Sequence, residues 1–181
     1  VRVDNSQQKN CRWYTGTGIY RHVWLTVMNP IHIEHWGIAI TTPEVSEERA
    51  VVQIKTILRN ETSSNRQITL TTKLTKGNDE AGKGEIKVDL PANGIKEITV
   101  LYPALWSPES PHLYNAHFLV TEAGDVIDSI TESFGIRTVT YSAEQGLFLN
   151  GKRIILNGGC LHHDNGCLGA AAYDRAEERK V

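Results

Sequence analysis

Cysteine is too scarce here to staple a fold. Three in 181 residues, an odd number, exclude a disulfide framework as the source of stability. Long apolar runs are missing too: none reaches the length of a membrane span, and no secretory leader opens the chain. Charge of one sign is not in excess. Nineteen basic residues stand against 21 acidic ones, a formal charge of −2, and so weak a field steers neither nucleic acid nor an anionic bilayer. Any binding function must therefore come from a local site. A helical period is absent from residues 44–141.

What is present is ordinary globular material, 40% apolar and 22% charged, enough to bury a core. The first residues, Val1-Arg2-Val3-Asp4-Asn5, alternate as though a strand were under way, and residues 173–181 read as the opening of a helix. With no starting methionine, the chain reads as an internal piece of a longer protein, which leaves its compartment open.

Short alternating segments fill the middle, the pattern of half-buried antiparallel strands. Val52, Ile54, Thr56 and Leu58 share one face, with Gln53, Lys55 and Arg59 on the other. Ile68, Leu70, Thr72 and Leu74 repeat the pattern, then Ile86, Val88 and Leu90, then Ile98, Val100 and Tyr102. Tyr114, Ala116, Phe118 and Val120 follow, and a last segment runs from Val126 to Phe134. Turn-forming stretches separate them at 60–65 (expected to close a hairpin), 76–84, 91–94 and 122–125. About seven strands in roughly a hundred residues predict an all-β, immunoglobulin-like antiparallel sandwich.

The flanks differ. Ile19-Tyr20-Arg21-His22-Val23-Trp24-Leu25 is aromatic-rich strand material, and its aromatics read as packing residues rather than sugar platforms. Trp106, between two proline-bearing turns, reads as a core plug, with residues 105–108 fixing a crossover between sheets. Phe148-Leu149-Asn150-Gly151-Lys152-Arg153-Ile154 predicts a tight hairpin about Asn-Gly. A buried-looking strand Ile154-Ile155-Leu156 follows, then glycines, a loop and a helix start, which is how a parallel α/β layer begins.

Three stretches taken together resemble glycoside hydrolase family 2, the β-galactosidase and β-glucuronidase family. They are Arg12-Trp13-Tyr14-Thr15-Gly16-Thr17-Gly18-Ile19-Tyr20-Arg21-His22-Val23, then Leu105-Trp106-Ser107-Pro108-Glu109-Ser110-Pro111-His112-Leu113-Tyr114. The third is Phe134-Gly135-Ile136-Arg137 leading on to Leu156-Asn157-Gly158-Gly159-Cys160-Leu161-His162-His163-Asp164. The last variant looks closest to bacterial β-galactosidase-like members. The resemblance implies the end of a sugar-binding jelly roll and a linker over 1–42, the whole sandwich over 43–141, and the start of a (β/α)8 catalytic barrel over 142–181. It implies carbohydrate as the substrate of the full-length enzyme and the neighbouring jelly-roll and barrel domains of the same chain as partners; the charge balance and the lack of a long apolar run argue against nucleic acid and membrane.

Retaining glycosidases need two carboxyl groups about 5 Å apart, one acid/base and one nucleophile. In the family both are glutamates on later barrel strands, so the expectation is that these residues contain no catalytic group and act as a spacer. Asn60-Glu61 copies the dipeptide that holds the family's acid/base, but it sits among Thr62-Ser63-Ser64 in a turn and reads as an exposed turn glutamate. The loop after the expected barrel strand is different. His162 and Asp164, two apart in extended chain, project to the same side, and an imidazole beside a carboxylate suits adjacent sugar hydroxyls. The resemblance implies substrate contact by His162 and Asp164, with His163 in place of the usual glutamate. No cofactor is expected and no metal: Cys160 and Cys167 lack a second pair of ligands at zinc spacing, and they read as free thiols. The competing class is a non-catalytic carbohydrate-binding or adhesion module, which would need aromatic residues exposed on a strand face.

Overall fold

The computed structural model describes residues 2–7, 18–90, 93–162 and 165–181, leaving aside the side chains of 93–97. Two compact units divide the chain: Val27–Leu156, and Val1–Thr26 together with Asn157–Val181.

The larger unit is a two-sheet sandwich. β1 (Ile31–Val45), β2 (Arg49–Asn60) and β5 (Asn93–Leu101) form one antiparallel sheet in the order β1-β2-β5. β3 (Arg66–Lys76), β4 (Asp79–Leu90), β6 (Tyr114–Glu122) and β7 (Asp125–Phe134) form the other, in the order β4-β3-β6-β7. The alternation read from the sequence becomes the core. Val52, Ile54, Leu58, Ile68, Leu70, Leu74, Val88, Leu90, Ile98, Val100, Ala116, Phe118 and Val120 are all buried between the sheets. Tyr114, also buried, opens β6, and its hydroxyl accepts the Ala104 N–H at 2.9 Å. A tyrosine at that corner, tied back to the preceding crossover, is a feature of immunoglobulin-like sandwiches.

The structure departs from expectation at several places. β1 begins at Ile31 and pairs with β2 from Ile31↔Asn60 onward, so residues 31–42, expected in the flank, are strand-paired to the sandwich. The reason is irregularity: Glu34, His35, Trp36 and Gly37 stand opposite the single residue Ile57, and that bulge breaks the period of two. The 60–65 turn is no hairpin, because β2 and β3 lie in different sheets. Tyr102 leaves the buried face, since β5 ends at Leu101 and Tyr102 takes φ +47 and is exposed. Residues 18–30 form no strand, and Val23, Trp24 and Leu25 are exposed.

One core position is chemically frustrated. Thr56 is 1% exposed and its Oγ1 has no hydrogen-bond partner among the described residues. A buried hydroxyl without a partner costs about 1–3 kcal/mol. Thr56→Val should therefore raise the unfolding free energy by roughly 1 kcal/mol, read as a higher urea midpoint at unchanged m-value.

Candidate functional site

Past the sandwich, β8 (Val139–Ser142), β9 (Gly146–Leu149) and β10 (Lys152–Ile154) make a small antiparallel sheet. The Asn-Gly turn is as expected: Leu149 pairs with Lys152, and Asn150 and Gly151 take φ +48 and +74, the two left-handed residues of a type I′ hairpin. Asn150 also ties this hairpin to one of the stretches that carry the family resemblance and to the residue that follows another. Its Nδ2 donates to the Trp106 carbonyl at 2.9 Å, and its Oδ1 accepts the Thr138 N–H at 3.0 Å.

Those two stretches meet. Trp106 N–H donates to the Ile136 carbonyl at 2.9 Å, and Leu105 bridges Ile136. The Arg137 guanidinium lies 5.2 Å from the centre of the Trp106 ring, a cation–π distance. Gly135 runs so close beneath that a Cβ there would meet Trp106 Cβ at 2.7 Å and Cγ at 2.9 Å. Trp106 is half-buried, on the segment that carries the chain from β5 in one sheet to β6 in the other. The distinctive residues of this region thus lock a crossover, and their chemistry is packing.

The smaller unit holds the loop singled out for sugar contact. His162 is exposed, with its carbonyl accepting from Lys180 Nζ at 3.1 Å. Asp164 and His163 lie outside the described residues, as do Arg12 to Thr17. Cys160 and Cys167 are free and exposed. Among the described residues, no three His, Cys, Asp or Glu side chains gather as a metal site would require. The buried strand expected at Ile154–Leu156 stops at Ile154; Ile155 and Leu156 are exposed, because no parallel neighbour pairs with them among the described residues.

Sequence reasoning missed a second cluster in this unit. His22 Nε2 and Asp174 Oδ1 are 2.9 Å apart, although 152 positions separate them, and Asp174 opens the short helix α1 (Asp174–Glu178). The Ala172 N–H donates to the Tyr20 carbonyl at 3.1 Å, so the chain flanking His22 is tied to the segment before α1. A cavity of about 400 Å³ is lined by Tyr20, Arg21, His22, Trp24, Ala172, Asp174 and Glu177. The Asn165 amide donates to Glu177 Oε1 at 2.9 Å and, with Lys180, holds that carboxyl below its usual range. Two aromatics, an imidazole and two carboxylates around an open cavity can stack on and hydrogen-bond a polyhydroxylated ligand. No local pattern foretold it, since the partners come from opposite ends of the sequence.

Glu61 follows the end of β2, is exposed, and its N–H donates to the Pro30 carbonyl at 2.9 Å. Asn60 beside it closes a local turn, its Oδ1 accepting from Thr62 N–H and Oγ1 at 3.0 and 2.6 Å.

Comparison with known proteins bears on this arrangement. The pattern of "Glycosyl hydrolases family 2" matches residues 31–137, the span of the sandwich. A curated relative, "Beta-galactosidase BoGH2A" of Bacteroides ovatus, is 41% identical over all of this chain and 22% of its own length. A crystal structure of a glycosyl hydrolase family 2 member from Bacteroides cellulosilyticus superposes with a TM-score of 0.88 at 44% identity, covering 94% of this chain and 23% of that one. A Bacteroides uniformis β-glucuronidase 2, covalently bound to cyclophellitol-6-carboxylate aziridine, gives 0.77 at 29% identity over 90% of this chain and 21% of that one. The chain spans about a fifth of the length of the curated relatives it matches.

Proposed function

The chain belongs to glycosyl hydrolases family 2, and from that premise we propose that it is the non-catalytic middle of a retaining, β-galactosidase-like enzyme acting on terminal β-linked sugars. In this reading the sandwich is a rigid bracket. Residues before Ile31 end a jelly roll, residues 142–181 begin a catalytic barrel, and both are partners of the sandwich within one polypeptide. His162 and Asp164 stand on the loop after the first barrel strand, at the end of a barrel where active sites are built. There they contact the sugar, while both catalytic glutamates come from barrel strands elsewhere in the enzyme.

The observation that supports this best is that the family match coincides with the sandwich, and that the motif residues inside it, Trp106, Gly135 and Arg137, are engaged with one another. The competing reading, a sandwich-type carbohydrate-binding or adhesion module, calls for aromatics along a strand face. The outward positions of β3 and β4 carry Gln67, Thr69, Thr71, Lys73, Glu85, Lys87 and Asp89, and β1 exposes a single tryptophan, Trp36, rather than a row of aromatics.

The 181-residue chain, incubated with nitrophenyl β-D-galactoside and nitrophenyl β-D-glucuronide, should release no nitrophenol above the buffer rate. Turnover that scales with protein concentration and survives repurification would overturn the reading.

A further inference from the structure

The bulge in β1 does more than interrupt a strand. It lifts Trp36 into solvent, 91% exposed, with its backbone at φ +57, a left-handed conformation that a bulky side chain adopts only at a cost. The surroundings enforce it. Gly37 returns the chain so tightly that a Cβ there would meet the Glu34 carbonyl oxygen at 2.7 Å. Arg59 Nη2 grips Glu34 Oε1 at 2.5 Å and pins the other limb. The His35 imidazole stacks on the indole, 4.7 Å between centres and 30° between planes.

Beneath the indole runs an open groove of about 320 Å³ between the edge strands of the two sheets. Ile130, Phe134, Glu34 and Glu132 line it. Glu132 pairs across the sheet with buried Ala116, so it shares the inner side of β7 with Ile130 and Phe134. A carboxylate on the inner side of an edge strand keeps the seam from closing. Clips do close it on either side: the Ile33 N–H donates to Asp128 Oδ2 at 2.8 Å, and Thr42 Oγ1 donates to the Arg137 carbonyl at 2.8 Å. Between the clips the seam is open under Trp36, and a second cavity lies along it, lined by Ile40, Thr42, Phe134 and Arg137.

We infer that this groove binds a neutral pyranose unit, with the indole stacked on the apolar face of the ring and Glu132 and Glu34 accepting from its hydroxyls. An ionised carboxylate accepts from two hydroxyls at once, which matches a vicinal diol. A protein partner fits less well, because the cores of protein interfaces are depleted in charged residues, and here two glutamates flank the aromatic. Glu34 is neutralised by Arg59 while Glu132 is in no ion pair among the described residues, so the groove repels an acidic sugar. Glu34, committed to Arg59, is a binding group here and transfers no proton. The inference does not rest on the bracket reading, and its failure would leave that reading intact.

The test is titration of the whole chain with β-1,4-galactobiose and, separately, with glucuronate, by calorimetry and by the indole N–H resonances in ¹⁵N-correlated spectra. One indole resonance, lost in Trp36→Ala, should shift saturably with galactobiose. Trp36→Phe should keep weakened binding, and Glu132→Ala should weaken it about tenfold through the lost charged hydrogen bond. Glu132→Lys should turn the preference toward glucuronate. The inference fails if the Trp36 resonance does not move, if binding persists in Trp36→Ala, or if wild-type protein takes glucuronate as well as the neutral sugar.

Discussion

Gly135→Ala should destabilise the sandwich by about 2–3 kcal/mol, the upper part of the range for forcing one extra carbon into a packed site. The cause is local: the new Cβ would stand 2.7 Å from Trp106 Cβ, 2.9 Å from Cγ and 3.1 Å from Cδ1. Trp106 has little room to retreat. Its carbonyl is held by Asn150, its N–H by the Ile136 carbonyl, and Arg137 lies over its ring. No left-handed φ is involved at Gly135, so the penalty is purely steric and depends in part on the ring. In a Trp106→Ala background two of those three close atoms are gone, and the same glycine substitution should cost about 1 kcal/mol less. Urea unfolding of the four proteins of this cycle gives the coupling. Additive costs would mean that the junction of the two motifs does not constrain the fold.

Phe118→Ala should have the largest effect on stability, about 4 kcal/mol, at the level expected when a fully enclosed aromatic is truncated. Phe118 is 1% exposed at the centre of β6, opposite Thr72 on β3 and Ile130 on β7. Neighbours drawn from both adjacent strands cannot collapse into the space without breaking their own ladders. Phe118→Leu, which keeps most of the volume, should cost roughly 1 kcal/mol. The melting temperature of the alanine variant should fall by on the order of 10 °C.

Much of the fold was legible because one buried face per strand writes itself as alternation. Val52 to Leu58, Ile68 to Leu74 and Tyr114 to Val120 each place apolar residues and threonine at every second position, and each set is buried. The Asn150-Gly151 turn was legible because few dipeptides tolerate two left-handed residues in succession. β1 was not. Its four-residue bulge and a second register shift between Thr41 and Glu44 scramble the period, so Trp36 could not be recognised as exposed. Strand pairing was also hidden. Alternation shows which residues face inward but not that β2 and β3, joined by a short turn, belong to opposite sheets.

The candidate sites were less legible for a different reason. His162 lies in a stretch of contiguous residues that carries the family resemblance, and a sequence displays such a stretch directly. The His22–Asp174 pair joins positions 152 apart, and the Trp36 groove takes its walls from β1 and β7, some ninety-five residues distant. Sites of that kind exist only after the chain has folded. Lone glutamates such as Glu34 and Glu132 look the same in a sequence whether they bind sugar, cut it or face water.

That last distinction bears on the whole account, because Glu34 and Glu132 do line one cavity together. The most direct measurement is the intact mass of the chain, its thiols alkylated beforehand, after incubation with galacto- and glucurono-configured cyclophellitol aziridines, which trap the nucleophile of a retaining glycosidase. A bracket without catalytic carboxylates predicts an unchanged mass. A stoichiometric adduct mapping to Glu34 or Glu132 would contradict it.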